Sequence, residues 1–181
     1  MLIQKYNPLW IQNFKNLKNE FQQALQGIFV EIDHVGSTSV VGLAAKPIID
    51  IDIVYWEDED FEKIKNRLSN IGYYHNGDQG IYEREVFKRK DNQEKHPILD
   101  KINHHLYVCP SDGNELQRHL LFRDFLRKNE WVRKEYEKIK FEIAEEVNHD
   151  RKKYAALKEK RAKQWIQSIV DLAKKENTKE M

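Results

Sequence analysis

Apolar residues recur at helical spacing near the start of the chain, where Trp10, Phe14, Leu17, Phe21 and Leu25 follow Asn7-Pro8. Asparagine suits the cap and proline the first helical position, so the pattern predicts a helix to about Gln26, broken by Gly27. Residues 28–35 (IFVEIDHV) are β-rich and predict a strand that stops at Gly36, and residues 47–55 predict a second. A helix follows over about 58–70, with Phe61, Ile64 and Leu68 on one face. NGDQG at 76–80 is a turn signal, 83–90 reads as a strand with a charged wet face, and DNQEKHP at 91–97 reads as a loop. Residues 98–109 predict a further strand, closed by Pro110. From Ser111 onward the period is helical throughout. One helix is expected over about 112–128, a second over 131–147 carrying Val132, Tyr136, Ile139, Ile143 and Val147, and a third over 150–174.

A helix, then strands with one helix interposed, then three helices describes an α+β fold: a mixed or antiparallel sheet covered on one face, with a C-terminal helical segment. One domain is expected over 1–175, its sheet core at about 27–110 and its helical part at about 111–174, with 176–181 a frayed tail. No G-x-G-x-x-G and no P-loop pattern occurs. The 181 residues carry 31 Lys plus Arg against 30 Asp plus Glu, so no global field draws the chain to nucleic acid or an anionic membrane. The single cysteine, Cys109, excludes an internal disulfide and a Cys-based zinc finger, and suits a reducing compartment. No run approaches the ~18 apolar residues a membrane span needs, and the N-terminus lacks the order of a signal peptide. A soluble cytoplasmic protein is expected.

The chemistry concentrates in GSTSVVGLAAKPIIDIDIV at 36–54. Side chains on a strand alternate, so Asp50 and Asp52 share one face while Ile49, Ile51 and Ile53 share the other. Sheltered carboxylates side by side repel unless a cation stands between them, and hard divalent ions such as Mg²⁺ or Mn²⁺ take such oxygen ligands. A half-exposed strand with a wet face is the plainer reading of a bare D-x-D. Upstream, Gly36, Ser37, Thr38 and Ser39 supply a turn with hydroxyls and backbone N–H groups able to hold a phosphate chain. On the strand at 98–109, His104 and His105 face opposite sides, and His105 serves either as a metal ligand or as a hydrogen-bonded sheet histidine. Asp100 lies too near the start of that strand to complete an acidic cluster. His119, Arg123 and Arg127 recur every four residues as a cationic stripe, suited to an anion or to a structural network around Asp124 or Glu130. Lys158 stands between Ala155 and Ala162 in the apolar stripe of the last helix, with Tyr154 one turn behind; it either snorkels to solvent or reaches the aspartates. Lys46 offers the same choice. The other Lys and Glu residues of 133–163 read as solvated helix faces.

The Gly-Ser turn followed by D-x-D resembles the nucleotidyltransferase superfamily of the DNA polymerase β type. On YNPLW near the start, HVGSTSVVGLAAKPIIDIDI at 34–53, HHLYVCP at 104–110, HLLFRDFLR at 119–127 and Tyr154 with Lys158, the chain is identified as a member of the GrpB family. That resemblance implies a nucleotidyltransferase-like fold, paired acids that hold Mg²⁺, a Gly-Ser turn on the triphosphate, and a functional Arg123. Polymerase-type transferases add a third acid from a neighbouring strand, which the strand at 98–109 lacks at its centre. The expected site has Asp50, Asp52 and Lys158 as catalytic residues. Gly36, Ser37, Thr38, Lys46, Arg123 and Tyr154 bind the nucleotide phosphates, and Asp50, Asp52 and His105 hold the metal, Mg²⁺ or Mn²⁺. The partners are a nucleotide and a small-molecule acceptor, with no basic, aromatic-flanked groove for a polynucleotide. The alternative is a nucleotide-binding or accessory module that keeps the fold without efficient transfer.

Overall fold

A computed structural model describes residues 2–91 and 94–179. Helix α1 (Leu9–Ala24) buries Trp10, Leu17 and Phe21, and the Asn7 side chain accepts a hydrogen bond from the Leu9 N–H at its start. Strand β1 (Val30–Val35) leads into a single 3-10 turn at Ser37–Ser39, then β2 (Ile49–Tyr55) and helix α2 (Asp58–Asn70). Strands β3 (Tyr73–His75), β4 (Glu85–Arg89) and β5 (His104–Pro110) complete the sheet. Helices α3 (Asn114–Lys128), α4 (Glu130–Glu146) and α5 (Arg151–Lys179) follow.

The strand order is β1-β2-β5-β4-β3, with β2 and β5 parallel and the other neighbours antiparallel. Ile49, Ile51 and Ile53 of β2 join Leu106 and Val108 of β5 on one face, where they pack against Trp10, Leu17 and Phe21 of α1 and Ile64 and Leu68 of α2. This is the main core. The other face is not bare, as the expected one-sided layering had it: Val54 and Cys109 pack against Leu116 and Leu120 of α3. A further cluster joins Val40 and Leu43 to Phe125, Leu126, Val132 and Tyr136 and to α5 through Ala162 and Ile169. Helices therefore lie on both faces, and the D-x-D side chains look towards the C-terminal ones.

Two boundaries differ from the sequence expectation. Residues 98–103, read as the start of a strand, form a helical turn in which the Ile102 N–H bonds the Ile98 carbonyl. Ile98, Leu99 and Ile102 are spaced i, i+1, i+4, which fits one face of a turn better than an alternating strand, and Leu99 is buried in the main core. Asp100 in that turn is gripped by both arms of Arg89, at 2.7 and 2.6 Å. Helix α5 continues through Lys179, so the tail expected to fray from 176 is helical to that point; 180 and 181 lie outside the described residues, as do 92 and 93 of the predicted loop. Among the described residues no helix is long and apolar enough to cross a membrane.

Candidate functional site

The register of the sheet brings the site together. Asp50 lies beside Val35 of β1 and His105 of β5, while Asp52 lies beside Asp33 of β1 and Tyr107 of β5. Directly paired residues share a face, so Asp33, Asp50, Asp52, His105 and Tyr107 all project on the same side. His105 Nδ1 donates to Asp50 Oδ1 at 2.9 Å, and half of the His105 side chain stays exposed (49%). Gly36 turns the chain immediately after β1 with φ 69°, in the left-handed region. A Cβ there would lie 2.2 Å from Asp50 Oδ2, so only glycine lets the turn close over this carboxylate.

Asp52 is fully buried, at 0% exposure. His119 Nδ1 of α3 donates to its Oδ2 at 2.8 Å, and His119 Nε2 lies 3.2 Å from Glu115 Oε1. Burial alone would depress the His119 pKa, but its hydrogen bonds to Asp52 and Glu115 carry it up to about 9, so the imidazolium is the form that sits between the two carboxylates. Burial pushes Asp52 upward, opposed by the His119 bond. The charge of Asp52 is thus offset by a protein cation, which corrects the expectation that such a pair needs a bound ion beneath it. The remaining oxygen, Asp52 Oδ1, is buried without a partner.

The stripe His119, Arg123 and Arg127 is spent on internal partners. Arg123 donates to Asp33 Oδ1 at 2.9 Å, to Asp124 at 2.7 Å and to the His34 carbonyl at 3.3 Å. Arg127 donates to the Ser39 carbonyl at 3.0 and 3.2 Å. Neither faces the cavity described next, so Arg123 is not brought to the other proposed phosphate ligands. Instead Arg127 braces the turn at 36–39, and Arg123 braces the end of β1 that leads into it. Within that turn the Ser39 hydroxyl donates to the Gly36 carbonyl. The Thr38 hydroxyl donates to the Ile48 carbonyl and accepts from His34 Nε2, and burial lowers the His34 pKa to about 4, leaving it neutral.

A cavity of about 900 Å³ opens beside Asp50, between the sheet and the C-terminal helices. Ser37, Thr38, Lys46, Asp50, His105, Tyr154 and Lys158 from the sequence expectation all line it. Tyr154 steadies Lys46 rather than Lys158: the Lys46 ammonium lies 4.1 Å from its ring centre, while Lys158 stands 5.8 Å from the ring centre of Tyr136. The lining residues outside the sequence expectation include Lys140, Arg84 and Arg118. Lys140, read as part of a solvated helix face, is 2% exposed; it donates to the Ala44 carbonyl and lies 3.5 Å from Ser37 Oγ. The signal was present, because Lys140 falls four after Tyr136 and three before Ile143, in the apolar stripe of α4.

Pairing within the cavity is uneven. Its three carboxylates are matched: Asp50 by His105, Glu115 by Arg118 at 2.5 Å, and Glu159 by Lys163 at 3.5 Å. Lys46, Lys140, Lys158 and Arg84 line the same space with no carboxylate partner among the described residues. Burial first, and the nearby Lys158 charge second, lower Lys46 to about 8 and hold Lys140 well below the usual lysine range. Crowded like charges of this kind favour an anion. Among the described residues no group of three or more His, Cys, Asp or Glu side chains is arranged to hold a metal ion. The oxygens that fit a hard cation are those of Asp50 and the unpartnered Asp52 Oδ1.

The GrpB protein family matches residues 1–171 of the sequence. The chain belongs to the GrpB family. Glutamate-rich protein GrpB of Alkalihalophilus pseudofirmus is 36% identical over 165 residues, 88% of this chain and 90% of that protein. UPF0157 protein YqkA of Bacillus subtilis is 30% identical over 94% of this chain, which spans only 46% of YqkA. The crystal structure of conserved protein GrpB from Enterococcus faecalis superposes with a TM-score of 0.77 at 30% identity, covering 97% of this chain and 98% of that one. Cid1, solved with its short product ApU, matches the fold with a TM-score of 0.54 at 13% identity, over 79% of this chain and 43% of Cid1. The chain thus has a nucleotidyltransferase-like fold, and Asp50, Asp52 and the Gly36 turn lie together on it.

Two outcomes follow from this geometry. Gly36→Ala should lower stability by about 1–3 kcal/mol in urea unfolding, since a side chain there meets both a left-handed backbone and the Asp50 carboxylate; an unchanged midpoint would contradict the close approach. Because the folded-state pKa of His119 lies above the unfolded value near 6.5, its contribution is complete below that pH and is lost as pH rises through about 9. The stability difference between the wild type and His119→Asn should therefore shrink between pH 6.5 and 10, by up to about 3 kcal/mol. A difference independent of pH would show that no imidazolium bridges Asp52 and Glu115.

Proposed function

We propose that the cavity binds the phosphate chain of a nucleoside triphosphate against the Ser37–Ser39 turn. The observation that carries this reading is the convergence of Lys46, Lys140 and Lys158 on the space beside Ser37 and Asp50, none of them paired with a carboxylate. A triphosphate supplies the anion these ammonium groups lack, and charge-assisted bonds of this kind are worth about 1.5–3 kcal/mol each. Gly36 sets the turn, Thr38 fixes its backbone, and Tyr154 orients Lys46. The oxygens of Asp50 and the free Oδ1 of Asp52 would hold a divalent cation, Mg²⁺ or Mn²⁺. Such an ion supplies charge neutralisation for transfer of a nucleotidyl group. The likeness of the fold to Cid1, whose structure holds a short product ApU, supports the class of chemistry. The acceptor is a small molecule, and Lys158 neutralises charge on the transferring phosphate.

A second reading, a nucleotide-binding module without efficient transfer, is favoured by the clamps on the acids. His119 occupies one oxygen of Asp52, and Arg123 occupies Asp33, the carboxylate directly across from it.

Calorimetric titration with each of the four nucleoside triphosphates, in Mg²⁺ and then Mn²⁺, should give saturable binding. Lys46→Met with Lys158→Met should weaken it at least tenfold. Since Lys46 titrates at about 8, affinity should fall as pH rises from 7 to 9, and binding at pH 8 should take up protons, seen as a dependence of the heat on buffer. No heat with any triphosphate would sink the proposal. Release of pyrophosphate with an acceptor present marks the transferase, and binding without release marks the module.

A further inference from the structure

We propose that Arg84 anchors an oxyanion, phosphate or carboxylate, of the second substrate, across the aspartates from the lysines. The inference rests on the nucleotide reading and names the acceptor class it leaves open. Arg84 lies at the end of the 76–84 loop, two residues before Val86, whose register partner is Tyr107. Strand alternation brings it to the face that carries Asp50 and Asp52. There its guanidinium carbon lies 4.7 Å from the ring centre of Tyr107, a cation–π contact that uses none of its N–H donors.

Arg84 differs from the other arginine of the cavity in having nothing to bind. Arg118 donates to both oxygens of Glu115 at 2.8 and 2.5 Å, whereas no carboxylate or carbonyl among the described residues accepts from the Arg84 guanidinium. Its Nε is buried and unpartnered. A guanidinium cannot discharge at neutral pH, so a buried donor of this kind carries a cost that a bound oxyanion removes.

Its position is built rather than incidental. The Glu83 carboxylate accepts from the Asn114 N–H at 2.8 Å and from its side chain at 3.3 Å, which ties the loop to the start of α3. Val86 N–H bonds the Gly77 carbonyl at 2.9 Å and closes the loop at its base. Gln79 and Glu83, neither of them glycine, hold left-handed backbone at φ 54° and 63°. The loop thus keeps a fixed, strained shape that directs Gln79, Ile81 and Arg84 to the cavity wall.

The two cationic groups also lie on opposite sides of the acids. The 36–39 turn follows β1 and Arg84 precedes β4, with β2 and β5 between them, which separates the two by roughly 14 Å at ~4.8 Å per strand. A single phosphate group cannot reach both. An acceptor held at Arg84 by its own anionic group would present its remaining atoms towards Asp50 and the nucleotide.

The test uses the full chain labelled with ¹⁵N. The Arg84 Nε–H resonance, assigned by its loss in Arg84→Lys, is followed while inorganic phosphate or succinate is added, with and without a saturating non-hydrolysable triphosphate and Mg²⁺. A saturable shift that persists with the triphosphate bound, and in the Lys46→Met, Lys158→Met chain, supports the assignment; the anion that saturates at lower concentration identifies the group as phosphate or carboxylate. No shift with either anion, or a shift abolished by the triphosphate, overturns it. Equilibrium dialysis gives an independent count: two phosphates per chain, falling to one in Arg84→Gln. Two retained in that variant also overturn the proposal. Triphosphate binding without an Arg84 response removes this inference alone, and an Arg84 response without triphosphate binding removes the nucleotide reading alone.

Discussion

The site depends on how the sheet tolerates carboxylates projecting from an inner strand. Asp52 is fully buried, and an isolated charge at such a depth would neutralise or disrupt the packing. His119 resolves this by reaching from α3 to Asp52 on one side and Glu115 on the other, while Arg118 holds both oxygens of Glu115. The chain Asp52, His119, Glu115, Arg118 therefore fastens α3 to the sheet and fixes its rotation. Removing one member would leave an uncompensated charge, which costs more than the intact pair contributes. Because α3 is fixed in this way, Arg123 and Arg127 one and two turns later meet Asp33 and the Ser39 carbonyl. The turn over Asp50 inherits its position from the same contact.

Matched carboxylates on the cavity wall leave the unmatched cations as the informative residues. Arg118 and Lys163 line the space as Lys46 and Arg84 do, yet their charges are already answered by Glu115 and Glu159. The remaining four divide by location. Lys46, Lys140 and Lys158 gather near the Ser37 turn, where mutual repulsion and burial depress Lys46 and Lys140. Arg84 stands apart over Tyr107 and cannot relieve its charge by losing a proton. A flexible anion suits the first group and a small, defined oxyanion the second.

Much of this was legible in the sequence, because alternation along 48–54 fixes which residues share a face whatever the strand pairs with. The shared face of Asp50 and Asp52, the opposed directions of His104 and His105, and the closeness of Gly36 and Ser37 follow from local geometry and hold in the structure. What was not legible depends on pairing and helix rotation. Asp33 sits in a strand read simply as β-rich, and only the β1–β2 register sets it across from Asp52. His119 belonged to a stripe with Arg123 and Arg127, but a stripe gives spacing without saying what it faces; here each member meets a different internal acceptor. Lys140 occupies the apolar stripe of α4 as Lys158 occupies that of α5, so the same spacing marks both lysines. Residues 98–103 have the apolar content of a strand, but the spacing of Ile98, Leu99 and Ile102 belongs to a turn.

The register also bears on whether binding and transfer go together. A third carboxylate is present on this face after all, but on the opposite side of β2 from the strand where a polymerase-type pattern places it, and Arg123 already holds it. Arg123 is itself braced by Asp124 and the His34 carbonyl, so freeing Asp33 for a metal would strand a half-buried guanidinium beside the sheet. Asp52 likewise reaches an ion only through Oδ1, its other oxygen being committed to His119. The lysines and the Ser37 turn are under no such constraint. The unpaired cations are therefore in place in the resting fold, whereas Asp33 and Asp52 are partly spent on holding α3 in place, so the proposed phosphate binding and the proposed transfer can be separated by mutation.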